Sequence, residues 1–241
     1  LALEHKVWAL VDVVYYPSAT ETAHVRAWLD QHAPQVRART VPAYAYDQFP
    51  ADPQANLRER NGLVFVAGFS HLPNVDAALW LVREVWPRIR AAHPQAHLDL
   101  VGSNPTEEVQ ALQREGIIVT GFVTDEDLAA RYAMARVVVA PLRYGAGVKG
   151  KVVEAMRFGV PCVTTSAGLQ GLTQAGEVLV AADDPAEFAR QVLRYLDDDA
   201  AWRHASTGGL DFVRTHFTEA AQWQAFAQEL AVVDRNAGHA A

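Results

Sequence analysis

Cysteine and methionine are nearly absent from this chain of 241 residues, which holds one cysteine and two methionines. A single cysteine excludes an intramolecular disulfide, so a reducing compartment is the simpler expectation. That residue, Cys162, lies in an apolar run, which predicts a packing role in the core. The first residue is Leu1 rather than methionine, and we therefore expect the chain to be a fragment or a processed product.

Long apolar runs and an excess of positive charge are also missing. No run approaches the roughly 20 apolar residues that a membrane-spanning helix needs, and no signal-peptide pattern is visible. The net charge is -7 without a basic stripe, which argues against non-specific binding of nucleic acid. Half of the residues are hydrophobic, enough for a sizeable core, so the sequence predicts a globular cytoplasmic protein.

Short apolar runs alternate with amphipathic runs through residues 63–180. Buried strands are predicted at Leu63–Ala67, His97–Val101, Ile117–Thr120, Val137–Ala140, Pro161–Thr165 and Val178–Ala181. Helical spacing predicts helices around Val75–Ile89, Glu107–Arg114, Asp125–Met134 and Val148–Phe158. This alternation predicts an α/β fold, a Rossmann-like parallel sheet with helices on both faces. Ligands bind such sheets at the carboxyl ends of the strands.

The two ends of the chain are predicted to be separate parts. Strands at Val11–Tyr16 and Val36–Val41 flank a predicted helix near Glu21–Leu29, and residues 42–61 have the composition of a linker. We therefore assign residues 1–60 to a short α/β remnant of a preceding domain with its linker, residues 61–215 to the main domain and residues 216–241 to a C-terminal helix. Thr218 is the expected cap of that helix, whose apolar face is predicted to hold Trp223, Phe226, Leu230 and Val233.

The segment from Pro141 to Glu154, PLRYGAGVKGKVVE, carries the clearest indication of chemistry. It follows a predicted strand and opens a predicted helix, whose N-terminus favours an anion. Glycines allow backbone N–H groups to approach a ligand closely, and cations add positive charge. The glycines are Gly145, Gly147 and Gly150, and the cations are Arg143, Lys149 and Lys151. Together they predict a phosphate site.

Glu154 lies three residues after Lys151, so the two side chains share one helix face. A carboxylate beside a phosphate site is suited to accept hydrogen bonds from the two hydroxyls of a ribose. The alternative is an ordinary ion pair on the helix surface, worth about 0.2–0.5 kcal/mol. Such a pair leaves the three glycines and three cations unexplained, so a nucleotide site is the preferred interpretation.

Two better-known phosphate motifs overlap this segment. Residues 145–150 fit the dinucleotide fingerprint G-x-G-x-x-G, but they follow about the fourth strand, and residues 169–171 supply no acidic ribose ligand. Residues 145–151 fit the start of the phosphate loop of nucleotide triphosphatases, but Val152 replaces the hydroxyl residue that would hold magnesium. Both alternatives are therefore disfavoured.

Five further stretches occur in order along the chain: FVAGFSHLPNVD from Phe65, LVGSNP from Leu100, VTGFVTDEDLA from Val119, APLRYGAGVKGKVVEAM from Ala140 and GVPCV from Gly159. With them, the region from Asn74 to Leu230 resembles the donor-binding C-terminal domain of retaining glycosyltransferases of the GT-B fold, family 4, also described as glycosyl transferases group 1. The resemblance is to the glycine-rich variant of that family.

The resemblance implies a role for each part of the site. Glu154 matches the second glutamate of the E-x7-E motif and would bind the donor ribose, and Lys151 matches the basic residue that neutralises the diphosphate; these two are the implied catalytic residues. The base loop would be Gly121, Phe122 and Val123. The residues assigned to the donor diphosphate are Gly68, Ser70, His71, Arg143, Gly145, Gly147, Lys149 and Lys151.

The sequence departs from the family pattern at two places. Alanine stands at position 146, where the first glutamate of E-x7-E is expected. The glycine-rich variant of the family lacks that glutamate as well. The usual basic residues of the first-strand loop are replaced by Ser70, His71 and Asn74. Lys149 or Arg143 is the expected substitute for that charge, and His71 is equally well explained as a solvated loop residue.

The resemblance implies transfer of a sugar from a nucleoside diphosphate sugar to a glycan or lipid-linked acceptor, with retention of configuration. It implies neither a cofactor nor a metal, the sugar nucleotide being the substrate, and at most peripheral contact with the inner face of a membrane. The acceptor would bind to a missing N-terminal domain, so the isolated chain is expected to be nearly inactive. The alternatives are a sugar-nucleotide 2-epimerase of the same fold and a non-catalytic nucleotide-binding or scaffold module.

Overall fold

The computed structural model describes residues 2–176 and 178–227, and the chain divides into two compact units. The sheet unit is formed by Gln48–Val213. The terminal unit combines the residues up to Asp47 with those from Arg214 onwards. The compact sheet unit thus begins within the segment that composition predicts to be a linker.

The terminal unit contains a small βαβ arrangement. Helix α1 (Ala2–Trp8) precedes strand β1 (Val13–Tyr16), helix α2 (Ala19–His32) and strand β2 (Arg37–Thr40), and the two strands pair in parallel. Ser18 begins α2 as a capping box, because its Oγ accepts from the Glu21 amide at 3.2 Å and donates to the Glu21 carboxylate at 2.7 Å. Apolar residues of α2 and its neighbours, including Val25 and Leu29, form a separate core.

A further helix in this unit occupies residues 219–227. Thr218 caps it as predicted, accepting from the Ala221 amide at 3.2 Å. Phe226 packs against Tyr15 with ring centroids 5.1 Å apart, whereas Trp223 is largely exposed. The predicted positions Leu230 and Val233 lie outside the described residues.

The sheet unit confirms the predicted Rossmann-like parallel sheet. Its six strands lie in the order β5-β4-β3-β6-β7-β8, and all pairs are parallel. The strands are β3 (Asn61–Val66), β4 (Leu98–Val101), β5 (Ile117–Gly121), β6 (Ala135–Ala140), β7 (Cys162–Thr164) and β8 (Val180–Ala181). The helices around them are α3 (Leu72–Trp80), α4 (Trp86–Ala92), α5 (Glu107–Gln110), α6 (Asp125–Met134), α7 (Gly150–Arg157), α8 (Pro185–Asp197) and α9 (Asp199–His216).

A π-helical turn, Leu81–Val85, joins α3 to α4. Pro87, near the start of α4, has no N–H to donate to the preceding turn. The wider π-helical turn accommodates the proline, so that the apolar face continues from α3 into α4. Trp80 and Trp86 are both buried in the core of the sheet unit. Asp198, between α8 and α9, accepts from the Ala200 and Ala201 amides at the start of α9.

The order of the strands determines where a ligand cleft forms. The chain runs outward from β3 through β4 to β5 and then returns to β6 on the other side of β3. The reversal opens a crevice at the carboxyl ends of β3 and β6. The loops there are residues 67–71 and residues 141–149, which contain most of the residues predicted to bind the diphosphate.

Candidate functional site

Lys151 connects the two loops at the reversal of strand order. Its ammonium on the first turn of α7 donates to Asn74 Oδ1 at 2.5 Å. Asn74 is buried at the start of α3, and its Nδ2 donates to the Gly68 carbonyl at 2.8 Å. A chain of two hydrogen bonds therefore fixes the loop after β3 relative to α7.

The surroundings of Lys151 leave its charge poorly compensated. Its hydrogen-bond partner, Asn74, is neutral, and the Phe65 ring centroid lies 5.0 Å from the ammonium. Burial, and to a lesser extent the charge of Lys149, lower the pKa of Lys151 from 10.5 to about 8. A partly desolvated cation at the reversal of strand order attracts an anion strongly.

The glycine-rich loop is organised around Lys149. Gly145 and Gly147 adopt positive φ values of 119° and 80°, which residues with a side chain rarely adopt. The Lys149 ammonium donates to the carbonyls of Gly145 at 3.2 Å, Ala146 at 3.0 Å and Gly147 at 2.6 Å. Three carbonyls therefore point toward Lys149, whose ammonium has three N–H donors.

Arg143 at the start of this loop is bound by α3. Its Nε donates to Asp76 Oδ2 at 2.8 Å and its Nη2 donates to Asp76 Oδ1, a bidentate pair. The hydrogen bond with Asp76 raises the pKa of Arg143. Both groups are partly exposed, so the pair fixes the loop geometrically and contributes little to stability.

Glu154 is held by Tyr132 of α6. The Tyr132 hydroxyl donates to Glu154 Oε2 at 2.9 Å, and its ring stacks on Phe158 with centroids 4.5 Å apart. Burial raises the pKa of Glu154, while the hydrogen bond from Tyr132 opposes that shift. Because Glu154 and Lys151 bond to different partners, the alternative of a simple surface pair between them is wrong.

A cavity of about 580 Å³ opens beside Glu154. Its walls come from residues 48–50, the first two turns of α6 and the end of α7. The predicted base loop lies at the carboxyl end of β5, where Gly121 has φ 70° and Phe122 is 80% exposed. Ser70 and His71 are exposed at the start of α3. The roles assigned to these residues remain predictions.

Two residues that fix the site were not singled out from the sequence. Tyr132 is 22 residues before Glu154, and Asp76 is 67 residues before Arg143. Each belongs to a helix whose pattern indicates only core and solvent faces. Predicting the role of either residue would require knowing how its helix packs on the sheet.

Among residues 2–176 and 178–227, three or more histidine, cysteine, aspartate or glutamate side chains nowhere cluster in a way suited to a metal ion. Within the same residues, every helix is too short or too polar to cross a membrane.

Comparison with known sequences gives one family match and a curated relative. The family model described as glycosyl transferases group 1 matches residues 60–198, more than half of the chain. An uncharacterized 44.6 kDa protein in the cps region of Klebsiella pneumoniae is 26% identical over 198 residues, which are 79% of this chain and 48% of that protein. The chain thus spans about half the length of that curated relative.

Comparison with solved structures shows the same fold. Sucrose-phosphate synthase from Thermosynechococcus elongatus is 24% identical with a TM-score of 0.70, covering 100% of this chain and 62% of that one. TarM from S. aureus is 10% identical with a TM-score of 0.75, covering 94% and 45%. Anabaena HepE, solved in complex with UDP and glucose, is 15% identical with a TM-score of 0.70, covering 95% and 66%. These likenesses confirm the predicted fold class.

Proposed function

The chain belongs to the glycosyl transferases group 1 family, and from that premise we propose that it binds the nucleoside diphosphate sugar donor of a retaining glycosyl transfer. The observation that carries the proposal is the half-buried Lys151 ammonium at the reversal of strand order, bridged through Asn74 to the loop after β3. HepE, a protein of the same fold solved in complex with UDP and glucose, supports the same substrate class.

In this proposal Lys151 and the N-terminus of α7 neutralise the diphosphate. Breaking the bond between sugar and diphosphate leaves more negative charge on the leaving oxygen, so a pre-positioned cation stabilises the transition state more than the ground state. Residues of the chain supply this charge, and we propose no cofactor and no metal. Arg143, Gly68, Ser70 and His71 lie around the same crevice.

Glu154 is proposed to accept hydrogen bonds from the ribose hydroxyls, and the cavity beside it to take the rest of the nucleoside. Tyr132 occupies one carboxylate oxygen, which orients the other. Gly121, Phe122 and Val123 would face the base. The acceptor, a glycan or lipid-linked sugar, would bind to a preceding domain, so we expect donor binding and little transfer from this chain alone.

Glu154→Gln is expected to remove discrimination between a ribonucleoside diphosphate and its 2′-deoxy counterpart. The amide keeps the shape of the side chain but loses the charged acceptor, so affinity for the ribonucleotide should fall about tenfold while the deoxy form changes little. Calorimetric titration of UDP, GDP and ADP first identifies the base, and the matching deoxynucleotide is then compared. Glu84→Gln, at an exposed glutamate of the π-helical turn that does not line this cavity, is the matched control. An unchanged ratio in Glu154→Gln would contradict the ribose assignment.

Lys149→Met is expected to make the glycine-rich loop more mobile and, as a consequence, to weaken nucleotide binding. Its ammonium bonds to three loop carbonyls, so we propose that Lys149 positions the loop and adds charge to the diphosphate site from a distance. Hydrogen exchange of amides 144–148 in the nucleotide-free variant should accelerate, with roughly tenfold weaker nucleotide binding. Weaker binding with unchanged exchange would instead assign Lys149 a direct contact.

One feature favours a second function. Alanine at position 146 removes the carboxylate expected near the transferred sugar, which suits a module that binds a nucleotide without transferring a sugar. A full-length protein that binds UDP, GDP or ADP but forms no product with any sugar nucleotide would support this alternative. A 2-epimerase would reveal itself by an isomerised sugar nucleotide in the absence of acceptor.

A further inference from the structure

A second cavity, of about 350 Å³, lies at the amino ends of β3 and β6. The donor crevice lies at the opposite, carboxyl ends of the same strands. Arg58, Arg60 and Arg136 line it, with Asp199 as the carboxylate in its wall. The cavity thus holds more positive than negative charge, in a protein whose net charge is -7. Neither the diphosphate site nor the ribose site uses these residues.

Arg136 is fully engaged by the protein. It is 6% exposed, and its nitrogens donate to two backbone carbonyls at 2.8 and 3.1 Å and to Asp199 at 2.5 Å. That hydrogen bond is the main reason why the pKa of Asp199 is lowered, and the nearby charge of Arg58 contributes less. The carboxylate in the cavity is therefore already committed to Arg136.

Arg60 is buried without a carboxylate of its own. It is 8% exposed, and its Nε and Nη1 donate to three backbone carbonyls at 2.7 to 3.1 Å. Its Nη2 has no acceptor among the described residues. Burial, and then the charge of Arg136, lower the pKa of Arg60, which shows how poorly its charge is compensated.

Arg58 supplies the outer wall of the cavity. Its side chain is exposed and forms no hydrogen bond or ion pair within the part of the chain that the structure describes. His93, on the same rim, pairs with Asp197 at 2.9 Å. The groups left to bind a ligand are therefore the Arg58 guanidinium and the Arg60 Nη2.

We propose that this cavity binds a small oxyanion of the phosphate class between Arg58 and Arg60. The planar N–H fork of arginine matches two oxygens of a phosphate, and the volume accommodates inorganic phosphate or pyrophosphate. The anion would supply the negative charge that Arg60 lacks. Since the cavity faces away from the donor crevice, this site is independent of the proposed function.

The test titrates the full chain with inorganic phosphate at constant ionic strength, using calorimetry. Lys151→Met serves as the background, because it removes the central one of the cations assigned to the donor site. In that background Arg58→Ala is expected to weaken phosphate binding about tenfold or more, and Arg58→Lys by less. Arg88→Ala is the matched control, since Arg88 is an exposed arginine on α4 that does not line the cavity.

Each result decides the proposal. Saturable binding that survives Lys151→Met and Arg88→Ala and is weakened by Arg58→Ala supports it. The proposal is overturned if phosphate does not bind saturably, or if the Lys151→Met single variant no longer binds it. It is also overturned if adding Arg58→Ala to the Lys151→Met background leaves the affinity for phosphate unchanged. Circular dichroism of each variant verifies folding, and the exposure of Arg58 makes a folding defect unexpected.

Discussion

Replacing Lys151 with methionine is expected to weaken binding of the preferred nucleoside diphosphate by roughly a hundredfold. A charge-assisted hydrogen bond contributes about 1.5–3 kcal/mol, and the desolvated position of Lys151 favours the upper part of that range. Methionine keeps the unbranched stem that packs near Phe65. Calorimetry on both proteins measures the ratio of dissociation constants. Lys6→Met, on α1 of the terminal unit, is the matched control.

The dependence of nucleotide binding on pH distinguishes the partly desolvated ammonium of Lys151 from that of an ordinary lysine. The pKa of Lys151 is about 8 in the free protein, and a bound diphosphate raises it. Affinity is therefore complete below pH 8 and is lost as the pH rises from there toward the pKa of the bound state. Lys151→Met should show no such fall. A wild-type affinity that stays constant up to about pH 10, where ordinary lysines titrate, would contradict the assignment.

At this site, residues that are close in the sequence could be predicted to act together, whereas their partners from distant parts of the chain could not. Lys151, Glu154 and the glycines are neighbours along the chain, so spacing alone predicts that they share one loop and one helix face. Their partners Asn74 and Tyr132 lie 77 and 22 residues away and become neighbours only through packing of helices on the sheet. Spacing could not predict that Lys149 would turn toward its own loop.

Two helices, α5 and α9, could be predicted only in part from the sequence, because packing in the core determines their extent. Glu107–Arg114 was predicted as one helix, but α5 ends at Gln110, because Leu112 turns into the core and Gly116 takes a φ of 80° before β5. No bounds are predicted from the sequence for helix α9, in which Gly208 and Gly209 weaken the helical pattern. One of them, Gly209, has a packing reason: an added Cβ would lie 3.1 Å from Met156 Cγ on α7.

Trp202→Ala is expected to destabilise the sheet unit by about 3–5 kcal/mol, the largest effect on stability among the changes considered. Trp202 is fully buried on α9, and its Nε1 donates to the Arg136 carbonyl at 2.7 Å. Truncation would leave a large cavity and an acceptor without its donor. Urea unfolding followed by circular dichroism measures the loss. Trp223→Ala, at a tryptophan that is 64% exposed, should change stability by less than about 1 kcal/mol.

Two cations lie near the ring of Trp202, so both packing and electrostatics contribute to stability at this position. The guanidinium carbons of Arg60 and Arg136 lie 5.3 and 5.8 Å from the ring centroid. Trp202→Phe keeps an aromatic face but loses the N–H and some volume, so a loss of about 1–2 kcal/mol is expected. A phenylalanine variant as unstable as the alanine variant would assign most of the effect to the indole N–H. A loss below about 1 kcal/mol in Trp202→Ala would refute the central role of this tryptophan.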